Sequence, residues 1–98
     1  MKALVLVYGD VHGVGFRSYA KRLAQQLNLA GLVRNEPQGV KVFLDGDKTA
    51  IEKFIVTVQN IKSSGFFGPH VEKVEVHNEG EKRFQPAWRS YEGFEVDY

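Results

Sequence analysis

Residues 2–27 read KALVLVYGDVHGVGFRSYAKRLAQQL. Lys2 to Tyr8 is a β-rich run in which both alternating sets, Ala3/Val5/Val7 and Leu4/Leu6/Tyr8, are apolar. Side chains alternate between the faces of a strand, so this pattern predicts a central strand rather than an edge. Gly9 to Gly15 then places three glycines in seven residues, which predicts a loop. From Phe16 the apolar residues are Phe16, Tyr19, Ala20, Leu23, Ala24 and Leu27. Their spacing of three and four is helical, with Arg17, Lys21, Arg22, Gln25 and Gln26 on the other side. Asn28 is the stop signal.

Strand, glycine loop and helix then set the reading of the rest. Leu32 to Asn35 predicts a short second strand. Pro37-Gln38-Gly39 turns the chain into a third, in which Val40, Val42 and Leu44 alternate with Lys41, Phe43 and Asp45. Asp47 or Thr49 can cap a second helix, Thr49 with Glu52 fitting a capping box. The buried face of that helix is Ile51, Phe54, Ile55, Val58 and Ile61, and Ser63-Ser64-Gly65 ends it. Val71 to Val76 is a fourth strand and Gly93 to Asp97 a fifth. The order β-α-β-β-α-β plus a terminal strand predicts an α+β, ferredoxin-like split βαβ sandwich, an antiparallel sheet with two helices on one face. Right-handed crossovers make strands one and two parallel, with strand three antiparallel between them. Residues 77–92 are the one long irregular stretch; Phe84, Trp88 and Tyr91 give it a reason to pack on the body.

The bulk numbers set limits on function. A chain of 98 residues builds one domain, so residues 1–98 are expected to be a single unit. The formal net charge of +1 speaks against a dedicated nucleic-acid binder, which carries a clear basic excess. With no cysteine there are no disulfides, thiolate metal sites or thiol nucleophiles, and a reducing, cytoplasmic location is compatible. No stretch is long enough to span a bilayer, and the opening residues turn polar too quickly for a signal peptide.

The chemistry concentrates in GDVHGVGFR, Gly9 to Arg17. A glycine-rich loop between strand and helix lets backbone N–H groups converge, and the helix start adds its positive end, which suits an oxyanion. The Arg17 guanidinium can meet two phosphate oxygens, each charged hydrogen bond contributing about 1.5–3 kcal/mol before desolvation. The loop lacks the Lys-Ser/Thr ending of a Walker sequence and the acidic partner of a dinucleotide fingerprint. Taken alone, a tight turn and a solvated arginine account for it better, since generic glycine motifs match often by accident. Topology adds a second point: the carboxyl ends of strands one and two share one sheet edge, which sets Asn35 roughly 10 Å from the loop at strand spacing. An Asn amide donates and accepts, so it can orient a water; by itself Asn35 also suits a turn before Pro37.

VYGDVHGVGFR, Val7 to Arg17, is similar to the first motif of the acylphosphatase family, and GLVRNEPQGVKV, Gly31 to Val42, to the second. Phe54, Gly68-Pro69 and Gly93-Phe94 fall in the family's order, so the resemblance covers nearly the whole chain. It implies cofactor-free hydrolysis of small-molecule acyl phosphates to carboxylate and phosphate. Arg17 then matches the phosphate-binding arginine, Asn35 the water-positioning asparagine, and the backbone of Val11, His12, Gly13, Val14, Gly15 and Phe16 the phosphate loop. His12 stands where the family usually has Gln, and Gln38 where it usually has Asp. The stretch 77–92 is longer than typical.

Other readings are weaker. His12, His70 and His77 show no close ligand spacing, so no metal is expected. An RNA-recognition module shares the fold, but the third strand offers just Phe43 as an outward aromatic and Ser64 to Gly68 falls before the fourth strand. A third use of the fold, as an appended domain of larger carbamoyl-transfer maturation proteins, is disfavoured by the chain's ending at Tyr98. Neither a nucleic acid nor a membrane is an expected partner. A monomer is expected, with an exposed strand edge that permits weak dimers.

Overall fold

The computed structural model describes residues 1–13, 15–61 and 70–98. The elements are β1 (Lys2–Asp10), α1 (Phe16–Gln26), β2 (Ala30–Glu36), β3 (Gly39–Asp45), α2 (Lys48–Gln59), β4 (His70–Asn78) and β5 (Phe94–Asp97). They form one sheet of five strands in the order β4-β1-β3-β2-β5. β1 is antiparallel to both its neighbours, and β3 lies antiparallel between β1 and β2. The ferredoxin-like arrangement is therefore as expected. One amendment is that β5 pairs parallel to β2, which makes the sheet mixed.

The register explains the alternation of apolar residues in β1. Val76, Val5, Val42, Val33 and Val96 stand side by side in one row across the five strands. The middle three are fully buried, in one core with Phe16, Ala20 and Ala24 of α1 and Ile51, Phe54 and Val58 of α2. Ile55 and Ile61 pack at its border. One residue earlier or later along each strand, the row His77, Leu4, Phe43, Leu32 and Glu95 faces the other way. Leu4, Leu32 and Phe43 are buried too, though outside the core under the helices.

Their cover is the connection between β4 and β5, residues 79–93, which runs as an irregular strap over the second face. Phe43 packs against Phe84 and Tyr91, with ring centroids 6.1 and 5.8 Å apart. The Arg34 guanidinium lies 4.5 Å from the Trp88 ring. Polar hooks fasten the strap: Tyr91 Oη donates to Asp45 Oδ2 at 2.5 Å and Lys41 Nζ to Gln85 Oε1 at 2.9 Å.

Several boundaries differ from the sequence reading. His77 and Asn78, read as irregular, continue β4 and pair with Leu4 and Ala3. Polar side chains hid a backbone ladder that is indifferent to them. Gly9 and Asp10, read as loop, stay in the sheet beyond a register shift after Tyr8. Asp47 occupies the N-cap of α2, and no side-chain cap hydrogen bond closes there, so the capping box is not formed. Asn28 does stop α1: it takes φ 58°, a left-handed conformation that Asn tolerates, and Leu29 N–H returns to the Ala24 carbonyl at 2.8 Å. Val14, Ser63-Ser64-Gly65, Phe66, Phe67 and Gly68-Pro69 lie outside the described residues.

Candidate functional site

β1 and β2 flank β3, so their carboxyl ends emerge at the same end of the sheet. The chain leaving β1 there turns into α1 through Gly13 (φ 71°) and Gly15 (φ 76°), left-handed values that glycine takes without steric cost. Gly15 is the N-cap of α1, and the first intrahelical donor is Tyr19 N–H, to the Gly15 carbonyl at 3.0 Å. The helix start has neither a capping side chain nor an acidic residue in its first turn, which leaves its positive end open to an anion.

A cavity of about 200 Å³ opens at this end, lined by Val11, Gly13, Gly15, Phe16, Arg17, Ser18, Asn35 and Tyr98. Arg17 and Asn35 thus share one cavity with the loop. Phe16 anchors the start of α1 in the core at 1% exposure, so the next residue, Arg17, is projected from a fixed base. Val33 lies in the core under the helices, and Asn35, two residues on, therefore stands on the same face.

Three contacts hold the loop and the arginine. Arg17 Nη1 donates to the Asp97 carbonyl at 3.1 Å, and its Cζ lies 4.9 Å from the Tyr98 ring centre. His12 Nε2 is 2.5 Å from the Gly39 carbonyl, which can only accept, so the ring carries its proton on Nε2. His12 therefore ties the glycine loop to Gly39, the first residue of β3, just past the turn that follows β2 and its Asn35. Gln38 sits exposed in that turn.

The sequence reading missed Ser18, Tyr98 and the Asp97 carbonyl. Ser18 reaches the cavity from the first turn of α1, next to Arg17, while Tyr98 and the Asp97 carbonyl come to Arg17 because β5 pairs with β2, a partnership invisible in four residues. Among the described residues no three His, Asp or Glu side chains converge to hold a metal ion. Phe43 is 1% exposed beneath Phe84 and Tyr91, so it offers no open stacking surface for a base. Among the described residues no helix is long and apolar enough to cross a membrane.

A larger cleft of about 450 Å³ lies on the strap face, between Tyr8, Lys41, Glu75, His77 and Phe84. Size does not make it the site. Two of its side chains are already paired with carboxylates, Lys41 near Glu36 at 3.8 Å and His77 near Glu75 at 3.5 Å, while Lys82 and Arg83 line it from the strap, and neither the glycine loop nor a helix start is among its walls.

The chain is similar to known proteins along nearly its whole length. The acylphosphatase family model matches residues 3–96. An acylphosphatase of Archaeoglobus fulgidus is 33% identical over 96 residues, 96% of this chain and 94% of that protein. Among solved structures, the acylphosphatase of Bacillus subtilis superposes with a TM-score of 0.75 at 30% identity, covering 99% of this chain and 98% of that one. Full-length HypF in a phosphate- and nucleotide-bound form superposes with a TM-score of 0.77 at 26% identity, covering 99% of this chain and 12% of that one.

Proposed function

The chain belongs to the acylphosphatase family, enzymes that act on acyl phosphates, and from that premise we propose that Arg17 binds the phosphoryl group while Asn35 aims the water that attacks it. The backbone N–H groups of His12, Gly13, Gly15 and Phe16 complete the cradle; Val11 lines the same cavity, but its N–H is taken by the Gly9 carbonyl at 3.0 Å. What supports these roles is one observation: the glycine loop, Arg17 and Asn35 line a single small cavity at the open N-terminus of α1.

The chemistry asks for little more. In an acyl phosphate the leaving group is a carboxylate, stable as an anion, so no general acid is required. Water attacks phosphorus, the bond from phosphorus to the acyl oxygen breaks, and the water's protons pass to phosphate or solvent. Charge spreads over the three equatorial oxygens, where a guanidinium and fixed N–H groups stabilise it. The Asn35 amide can accept a hydrogen bond from the attacking water and stays neutral throughout. The reading places a metal-independent monomer in the cytoplasm, consistent with a chain that lacks cysteine.

Benzoyl phosphate is a convenient probe. Arg17→Lys is expected to lose nearly all turnover and inhibition by inorganic phosphate, because an ammonium cannot reproduce the two-pronged contact. Turnover near that of the wild type in this variant would remove Arg17 from the site.

A further inference from the structure

The carbonyl that receives Arg17 belongs to Asp97, the last paired residue of β5. β5 is four residues long and lies at the edge of the sheet, with β2 as its neighbour. The end of so short an edge strand is where a sheet frays first. Here it is tied down from the opposite face. Trp88 Nε1 donates to Asp97 Oδ2 at 2.7 Å, and Arg89 donates to Oδ1 through Nε, at 2.9 Å, and through Nη2. Arg89 Nη1 also reaches Glu95 Oε1 at 2.8 Å, gripping β5 at a second point. The Trp88 ring lies against Arg34, which is paired with Asp97 in the sheet and precedes Asn35.

Asp97 therefore has two attachments: its carboxylate to the strap, its carbonyl to Arg17. We propose that Trp88 and Arg89 are positioning residues for the phosphate site, fixing Asp97 so that its carbonyl and the adjoining Tyr98 ring orient the Arg17 guanidinium. The proposal rests on the reading that Arg17 binds phosphate. A long side chain already held in its binding orientation loses less freedom when the anion arrives. Release of the clamp weakens phosphate binding while leaving the water and its Asn35 in place, so the effect falls on KM and not on kcat.

Two variants of the full chain test this with benzoyl phosphate as substrate and inorganic phosphate as inhibitor. Arg89→Ala removes the grip; Trp88→Phe keeps a smaller aromatic ring for Arg34 and removes the N–H that Asp97 accepts. Each is expected to raise KM and the phosphate Ki together, by about three- to tenfold, the scale of one lost hydrogen bond. kcat should change less than about twofold. Arg89→Lys, which keeps the charge without the fork, should restore part of the affinity. Two failures are distinguishable. A wild type that phosphate does not inhibit, or an Arg17→Lys variant with full turnover, would remove the phosphate reading itself. An active, Arg17-dependent enzyme whose Arg89→Ala and Trp88→Phe variants keep wild-type KM and Ki would overturn the clamp alone, whatever their melting temperatures.

Discussion

On one face of the sheet, Val5, Val33 and Val42 are sealed by Phe16, Ala20 and Ala24 of α1 and Ile51, Phe54 and Val58 of α2. On the other, Leu4, Leu32 and Phe43 are sealed by residues 79–93, which form neither helix nor strand. The helices satisfy their own backbones and contribute apolar packing. The strap is held by side chains: Phe84 and Tyr91 on Phe43, Trp88 on Arg34, and hydrogen bonds to Asp45 and Asp97. The first arrangement stabilises the molecule as a unit. The second adds a cover that can loosen locally, because each of its hooks ends on an ionic or aromatic contact near solvent. The candidate site lies on the helix face, yet one of its supports, Asp97, is tied to the strap.

The largest test of this contrast is Phe54→Ala. Phe54 is fully buried between α2 and the sheet, and truncating such a residue leaves a cavity that costs about 3–5 kcal/mol. Urea denaturation at neutral pH measures it; a loss below about 2 kcal/mol would mean the helix face is not the stability centre. Next comes Asn35→Ala. Loss of a single positioned group is expected to lower kcat by about a hundredfold, near 2.7 kcal/mol, with phosphate inhibition preserved. Asn35 is exposed, so its removal should leave the denaturation curve unchanged. An unaltered kcat would make Asn35 a turn residue after all.

How much of this was legible depends on the face. The double apolar alternation of β1 announced a central strand, and the spacing of three and four marked the buried sides of both helices. Arg17 and Asn35 could be brought together from topology alone, because a right-handed crossover fixes where two parallel strands end. The strap side was harder to read. Phe84, Trp88 and Tyr91 signalled packing, but an irregular segment has no period from which to infer its register. The parallel pairing of β5 with β2 was equally hidden, and with it the approach of Asp97 and Tyr98 to Arg17. His77 and Asn78 belong to β4 through backbone pairing that their polar side chains do not advertise.

The strap face is sharpened by Phe84→Ala. Phe84 is half-buried against Phe43, so the loss should be about 1–2 kcal/mol, from the aromatic pair and part of the buried area. It should also speed amide exchange in residues 79–93 while leaving α1 and α2 protected. A cost equal to that of Phe54→Ala would erase the contrast between the two covers.

The smallest effects are the most diagnostic, because among the described residues the helix face buries no polar or charged residue. Titration of stability near the extremes of pH must then come largely from other groups, and the strap supplies them. Its Arg89, with Trp88, holds the Asp97 carboxyl below its ordinary value. The Glu92 N–H, then Arg89, does the same for Glu95. A carboxyl whose folded pKa is depressed contributes stability that is complete above the unfolded value, about 4, and drains away as pH falls through the folded one. Arg89→Ala should flatten that acid decline and leave its slope above about pH 6 unchanged. The Tyr91 phenol works in the opposite sense. Burial, then its hydrogen bond to Asp45, pushes it up to about 12, so the protonated form is favoured in the fold. Its contribution is complete below the unfolded value, about 10, and lost as pH rises to the folded one. Tyr91→Phe should remove that alkaline decline. Phe54→Ala should lower the whole stability curve by one amount at every pH; a change in the shape of either limb would show that the helix face and the strap do not stabilise the molecule independently.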